Sequence, residues 1–276
     1  MTGYLYIVAT PIGNINDVTL RALDTLREVD IIFAESIERT KKLLSHYSID
    51  TKIDSFNKDN EDRKIKLIKS CLDKSMSIAL VTDAGTPSIS DPGYSLLYKI
   101  GDESKIIAIP GPSSLCCALS ISKIPMNSFS FLGFLPKKQT DRLKILQDYF
   151  YKDIALCVFE SKHRLIALLE DIKSIYGGNL IVGIYRELTK IHETIIHDKV
   201  INLIKHFNDY PPKGEFIVII SASNVPRNII NDYQPIIKKL RDKSYSNKDI
   251  VDILHIITGD TKKDIYKSVL TIRHDT

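Results

Sequence analysis

Ile78-Ala-Leu-Val-Thr-Asp-Ala-Gly-Thr-Pro-Ser-Ile-Ser-Asp-Pro-Gly93 decides the fold. Four apolar residues read as a strand, and the chain then runs straight into a loop crowded with Gly, Pro and Asp. Leu5-Tyr-Ile-Val-Ala-Thr-Pro-Ile-Gly-Asn14 and Ile106-Ile-Ala-Ile-Pro-Gly-Pro-Ser-Ser114 have the same form. In an open α/β sheet, ligands bind in the crevice outside the carboxyl ends of the strands. Asp83, Gly85, Thr86, Pro87 and Asp91 are therefore expected to hold a polar ligand, because an ordinary turn seldom needs so many such residues. Gly85 is expected to let the backbone approach that ligand closely, and Asp83 to accept hydrogen bonds or brace the loop.

Outward from this loop the chain alternates. Val18, Ala22, Leu26 and Val29 stand near helical spacing with Asp17 able to cap them, Ile31-Ile-Phe-Ala34 reads as a strand, and helices pass through Thr40–Leu44 and through Ile65, Ile68 and Leu72. Pro112 falls where a first helical turn would begin, so the helix through Ser113–Leu119 points its free amides into the same crevice. Beyond Lys123-Ile-Pro the loops change character. Strand-like runs at Ile154–Phe159, Leu180–Tyr185 and Glu215–Ile220 accompany a helix from Ser161 to Tyr176, ended by Gly177 and Gly178. Alternation of this kind predicts an α/β fold built on mostly parallel sheet. We place an N-terminal α/β domain at 1–119, a second at 120–222, and a helical appendage at 223–276, joined by a linker at Ala222–Arg227.

Composition narrows the function classes. The 276 residues, 43% hydrophobic, suffice for one large or two ordinary domains. A net charge of +4 permits nucleic-acid contact without requiring it. Cys71, Cys116, Cys117 and Cys157 lack metal-ligand spacing and lie in apolar runs, so buried free thiols in a reducing cytoplasm are expected, with no bound metal. No run approaches a membrane span, and the apolar start reads as a core strand, not a leader. No dinucleotide fingerprint or P-loop is present.

Seven motifs occur in order: Thr10-Pro-Ile-Gly-Asn14, Asp83–Gly93, Pro110-Gly-Pro-Ser-Ser114, Gly133-Phe-Leu-Pro-Lys137, Glu160-Ser-Lys-His-Arg164, Arg186-Glu-Leu-Thr-Lys190 and Lys213-Gly-Glu215. Together they resemble the tetrapyrrole-methylase superfamily of S-adenosylmethionine (SAM) enzymes, and within it the branch that 2'-O-methylates a cytidine of 16S ribosomal RNA. The resemblance extends through about residue 222. It implies two α/β domains of the tetrapyrrole-methylase type with SAM in the cleft between them, a homodimer, and the 16S rRNA of the 30S subunit as partner.

Under this resemblance Pro11, Asp83, Ala84, Gly85, Thr86, Pro87, Ser113, Ser114 and Phe159 are expected to bind SAM. Ser113 and Ser114 serve equally as helix caps, and Phe159 equally as core. Glu160 and Glu187 end two strands and are candidate general bases, with a structural ion pair as the alternative role. Lys137, Lys138, Arg142, Arg164 and Arg186 are candidate RNA contacts, while Phe129, Phe131 and Phe134 beside them are expected in the core. His163 reads as a surface histidine. The branch usually continues Asp-Thr-Arg after Phe33-Ala-Glu35, whereas this chain has Ser36-Ile37-Glu38, so Arg39 would have to take over the cation's role. Two other functions share these residues: methylation of a tetrapyrrole or other small acceptor, and a non-catalytic rRNA-binding assembly role.

Overall fold

The computed structural model describes residues 3–100, 105–126, 128–152, 154–222, 233–258 and 261–271. β1 (Tyr4–Val8), β2 (Ile31–Ala34), β3 (Ile53–Ser55), β4 (Ile78–Val81) and β5 (Lys105–Ile109) form one sheet in the order β3-β2-β4-β1-β5. Every pairing in it is parallel. β2 and β4 are buried along their whole length because both faces are covered. Alternation sends Ile31, Phe33, Ile78 and Leu80 to one face. That face packs on α3 (Glu61–Asp73) and α4 (Tyr94–Ile100). Ile32, Ala34, Ala79 and Val81 go to the other face, under α1 (Leu20–Glu28) and α2 (Ile37–His46).

A second sheet has the order β6-β7-β10-β8-β9, with β6 (Phe129–Phe134), β7 (Ala155–Ser161), β8 (Ile181–Arg186), β9 (Thr194–Lys199) and β10 (Glu215–Ile220). Only β6 and β7 run parallel; the remaining pairs are antiparallel, which corrects the expectation of parallel sheet for this half. β9 accounts for the change: it pairs antiparallel with β8 and makes a hairpin edge that the uneven polarity of Thr194–Lys199 did not announce. One face buries Leu156, Val158, Val182, Ile184, Phe216 and Val218, with α6 (Gln139–Lys152), α7 (Leu165–Tyr176) and α8 (Val200–Asp209) packed on it. The other face carries Cys157, Phe159, Tyr185, Ile217 and Ile219 toward Ile12 and α5 (Ser114–Ser120) of the first half.

Met1–Phe150 and Ile154–Ala222 cluster as one compact unit holding both sheets, and the rest of the chain as another. In that second unit α9 (Gln234–Asp242), α10 (Asn247–Thr258) and α11 (Lys262–Thr271) bury Ile237, Ile250, Leu254, Ile265 and Val269 among themselves. The linker expected at Ala222–Arg227 lies, beyond Ala222, outside the described residues. Among the described residues no helix is long and apolar enough to cross a membrane.

Local capping differs from expectation at one point. Thr19, not Asp17, caps α1 by accepting from the Ala22 amide, because Ile15–Asp17 forms a 3-10 turn of its own. The thiols also divide: Cys157 is buried and Cys71 and Cys117 partly so, but Cys116 is exposed on the outer side of a short helix.

Candidate active site

β1 lies between β4 and β5, so the loops that follow these three strands are neighbours. The loops after β1 and β4 are pinned to each other by a two-bond bridge, with the Thr10 and Gly85 amides each donating to the other's carbonyl at 2.9 Å. The Thr10 hydroxyl adds a 3.0 Å bond to the Thr82 carbonyl. Gly85 has φ +81°, a left-handed conformation that costs other L residues about 1 to 2 kcal/mol. A Cβ there would meet only ordinary contacts, the nearest at 3.6 Å, so glycine is needed for backbone conformation and not for close approach.

Against these loops the face of the second sheet that carries Phe159, Tyr185 and Ile217 closes a cavity of about 520 Å³. Ile12, Phe134, Phe159, Tyr185 and Ile217 give it apolar walls, while Asp91, Ser114, Glu187 and Lys190 supply polar groups. A second cavity of about 410 Å³, holding Pro11, Arg39 and Asp83, shares Ile12, Ala84, Lys190 and Glu215 with the first. The two are therefore adjoining parts of one cleft. The Asn14 amide donates to Thr189 Oγ1 at 3.1 Å, tying the β1 loop to the β8 loop across it.

The electrostatics of the two sides differ. Asp91 is pushed up to about 6, chiefly by burial and then by the neighbouring carboxylates of Glu35 and Asp83. Asp83 Oδ1 and the hydroxyls of Thr82 and Ser88 are buried without a hydrogen-bond partner. Such atoms are costly to leave unpaired, and their grouping in one loop marks a place made for a ligand. Ser88 and Ser90 both hold positive φ, +69° and +67°, a local strain typical of ligand loops. Arg39 reaches from α2 to Asp83 Oδ2 at 3.2 Å, whereas Glu38 turns outward to Lys42. The guanidinium that the sequence displaced by one position thus stands in the cleft after all. Ser36, part of the same departure, caps α2 by accepting from the Arg39 amide.

The two candidate bases separate. Glu187, at φ +51°, accepts from the Glu215 amide at 2.9 Å and from Lys190 Nζ at 3.1 Å through one oxygen, Oε1. Burial alone would raise it, but the amide and the ammonium together outweigh burial and hold the carboxyl below its usual range. Lys190 also binds Glu215 at 2.9 Å, and its two carboxylate partners hold it above the usual lysine value despite burial. Glu160 also touches the cavity, yet β7 alternation places it with Leu156 and Val158 on the side of α7. Its carboxyl is 1% exposed, accepts from the Ser161 amide at 2.8 Å and lies 3.3 Å from Arg164, and burial pushes it up. Of the two roles weighed for Glu160, cleft base or structural ion pair, the geometry favours the ion pair: strand parity turns the carboxyl toward Arg164 although the residue borders the cavity.

Other expected residues sort as follows. Ala84, Ser114 and Phe159 line the first cavity and Pro11 and Asp83 the second; Gly85, Thr86 and Pro87 line neither and shape the loop. Ser113 caps α5 by accepting from the Cys116 amide. Arg142, expected on the RNA side, is 5% exposed and committed to Asp171, so it cannot meet a phosphate without breaking a buried pair. Arg164 donates to the Leu135 and Pro136 carbonyls and Arg186 to the Lys213 carbonyl. Lys137 and Lys138 are exposed. Of the three phenylalanines only Phe131 packs inward; Phe129 and Phe134 are 45% and 57% exposed, because the β6 bulge turns Phe134 to the cavity. Arg39 stands where the sequence needed it to, while Tyr185, His163 and Lys190 were not anticipated as cleft residues. Period-two alternation from Ile217 through the β8–β10 pairing is the signal for Tyr185. Among the described residues no group of His, Cys, Asp and Glu is placed to hold a metal ion.

The family described as Tetrapyrrole (Corrin/Porphyrin) Methylases matches residues 4–203. A Thermotoga maritima protein named Ribosomal RNA small subunit methyltransferase I is 42% identical over 221 residues, which cover 80% of this chain and 99% of the relative. A Vibrio cholerae protein of the same name is 43% identical over 220 residues, covering 78% and 76%. Among solved structures, cobalt precorrin-4 methyltransferase superposes with a TM-score of 0.62 at 13% identity over 81% of this chain and 96% of its own. A diphthine synthase gives 0.61 at 16% identity over 79% and 90%. At such identities the structural likeness speaks for the fold alone.

Proposed function

Since this chain belongs to the tetrapyrrole methylase family, as a SAM-dependent methyltransferase akin to those named for small-subunit ribosomal RNA, we propose that it methylates the ribose 2'-oxygen of a cytidine in 16S rRNA. Methylation of ribosomal RNA is supported by relatives named for the small-subunit RNA at about 40% identity over most of the chain. The ribose position and the cytidine rest on the ordered motifs. The observation that carries the reading is the divided cleft: an apolar, acid-edged cavity adjoining a second that holds Arg39, with cationic Lys137 and Lys138 exposed on the segment next to Phe134.

The residues present suit SAM. Phe159, Tyr185 and Ile217 offer apolar walls for adenine, and Asp83, with an unpaired Oδ1, and Asp91 offer carboxyl oxygens for a cationic ligand. When bound, SAM supplies a methyl group on positively charged sulfur, which the ribose oxygen displaces in line to leave a neutral thioether. The donor is already activated, so the protein's main contribution is to hold the acceptor hydroxyl within about 3 to 3.5 Å of the carbon. Glu187, ionised at neutral pH and with Oε1 braced by Lys190 and the Glu215 amide, receives the hydroxyl proton at Oε2. Asp91, with its carboxyl at about 6 and so ionised at neutral pH, favours the cationic donor over the neutral product. Lys137 and Lys138 meet RNA phosphates.

We further propose that the protein works in the cytoplasm as a homodimer, with lobes at 1–119 and 120–222 flanking the cleft and 223–276 as an appendage; light scattering tests the dimer. The function is tested by incubating the protein with labelled SAM and small subunits lacking the modification, then mapping label to ribose positions. Label on one cytidine ribose is the expected result. Transfer only to tetrapyrroles or other small acceptors would overturn the assignment.

A further inference from the structure

The segment that carries Lys137 and Lys138 is gripped by two arginines, one of them fully buried. The Arg142 and Asp171 side chains are 6% and 3% exposed. Arg142 Nε donates to Asp171 Oδ2 at 2.6 Å, and Gln139 Nε2 donates to Oδ1 at 2.7 Å. The rest of the Arg142 guanidinium faces the chain ahead of α6, where Nη1 donates to the carbonyls of Pro136 at 3.3 Å and Lys137 at 3.2 Å. From the other side Arg164 Nη2 donates to the carbonyls of Leu135 at 2.7 Å and Pro136 at 3.2 Å. Two guanidinium groups thus meet on one carbonyl, and Arg164 continues to Glu160. At its start the segment runs close to the β4 loop: at Gly133, with φ +57°, a Cβ would lie 2.7 Å from Ser90 Oγ, so a larger residue there is excluded.

A buried ion pair adds little net stability over apolar packing of the same volume, whereas a planar guanidinium fixes direction through its rigid fork. The acceptors of both forks are main-chain carbonyls of one short segment. That segment starts next to Phe134 in the cavity wall and ends in two lysines that are exposed and, among the described residues, in no ion pair. We infer that Glu160, Arg164, Arg142 and Asp171 form a positioning clamp that sets the Leu135–Lys137 backbone so that Lys137 and Lys138 receive phosphodiester groups of RNA beside the acceptor nucleotide. The inference rests on the rRNA reading above and assigns four side chains to orientation, none of them touching the reacting atoms.

Arg142→Lys tests it, because lysine keeps the charge beside Asp171 but lacks the fork to the carbonyls. Binding of unmodified small subunits is measured across a salt series, beside Lys137→Gln/Lys138→Gln. Each lost phosphate contact lowers the slope of log affinity against log salt by about 0.7 on single-stranded RNA, so the double lysine variant should lose about 1.4 and raise KM about tenfold. Arg142→Lys should lower the slope and raise KM in the same direction, although no surface charge has been removed. In both variants SAM affinity and kcat should stay at wild-type values. A wild-type slope and KM in the double lysine variant would overturn the phosphate platform. A wild-type slope in Arg142→Lys would overturn the clamp and leave Arg142 a purely structural residue. Failure of the wild-type protein to methylate small-subunit RNA would count against the rRNA reading instead.

Discussion

Glu160 near the end of β7 and Glu187 just after β8 stand at strand ends of the second sheet, and what separates them is the direction of the side chain. Glu187 stands in the cleft with one oxygen held by an amide and an ammonium, so Glu187→Gln preserves an acceptor for the Glu215 amide but removes the charge. Its kcat should fall about 100-fold with SAM affinity unchanged, as expected for loss of a general base; single-turnover kinetics with titrated SAM checks this. Glu160→Gln should instead act on KM, since its carboxyl serves Arg164. Asp91 makes a pH prediction with two signs. Its folded value of about 6 exceeds the usual value of 3.8, so the folded chain binds the proton more tightly, and stability falls as pH rises between these values. Asp91→Asn should therefore melt higher than the wild type at pH 7.5, with the gap closing near pH 4. SAM binding should run the other way: wild-type affinity weakens as pH drops through about 6, while Asp91→Asn stays at the weaker level throughout. Calorimetric titration across pH decides it. The identities of Asp83 and Glu187 were legible as candidates because their residue types cluster at strand ends. The commitment of Arg142 to Asp171 was not, since the partners are 29 residues apart and nothing local links them.

The β4 loop shows how an element can be right for a reason other than the expected one. Gly85 was expected to make room for a ligand, but space there is ample and its φ of +81° is what excludes other residues. Gly85→Ala should cost about 1 to 2 kcal/mol, and it should weaken SAM binding by loosening the Thr10–Gly85 bridge. Gly85→Asn should cost less, because Asn tolerates the left-handed region; chemical denaturation of both variants beside SAM titration separates stability from binding. The start of α2 carries a similar lesson. The Ser36-Ile37-Glu38 departure looked like loss of a cation, yet Ser36 supplies the cap and Arg39, one position on, reaches Asp83. A helix turns about 100° per residue, so only the placed helix tells which of two adjacent positions faces the cleft. Apolar strands and the Leu165, Leu168, Leu169 and Ile172 face of α7 were plain in the sequence because burial dictates them. β9 was not, because an edge strand with one exposed side has no comparable pattern.

At the scale of the whole molecule, every cleft residue precedes Ala222, and the later residues form a separate compact unit. The Thermotoga relative, matched over 99% of its length by 80% of this chain, does without the remaining fifth. A protein ending at Ala222 should accordingly keep its SAM affinity within about threefold, less than 1 kcal/mol, as measured by calorimetry. If its RNA affinity falls, the appendage acts on the RNA side. The sequence by itself determined the α/β class, the three glycine- and proline-rich loops, the order of seven motifs and through them the family and its methyl donor. These are local: a strand, a turn and a motif are written in consecutive residues. Only the tertiary structure decided that β1 lies between β4 and β5 and gathers those loops, that the second sheet is largely antiparallel, and that Glu187 faces the cleft while Glu160 turns to Arg164. Strand order and the facing of side chains across a cleft arise from contacts between residues far apart in the chain, and no local pattern encodes which distant partner each will meet.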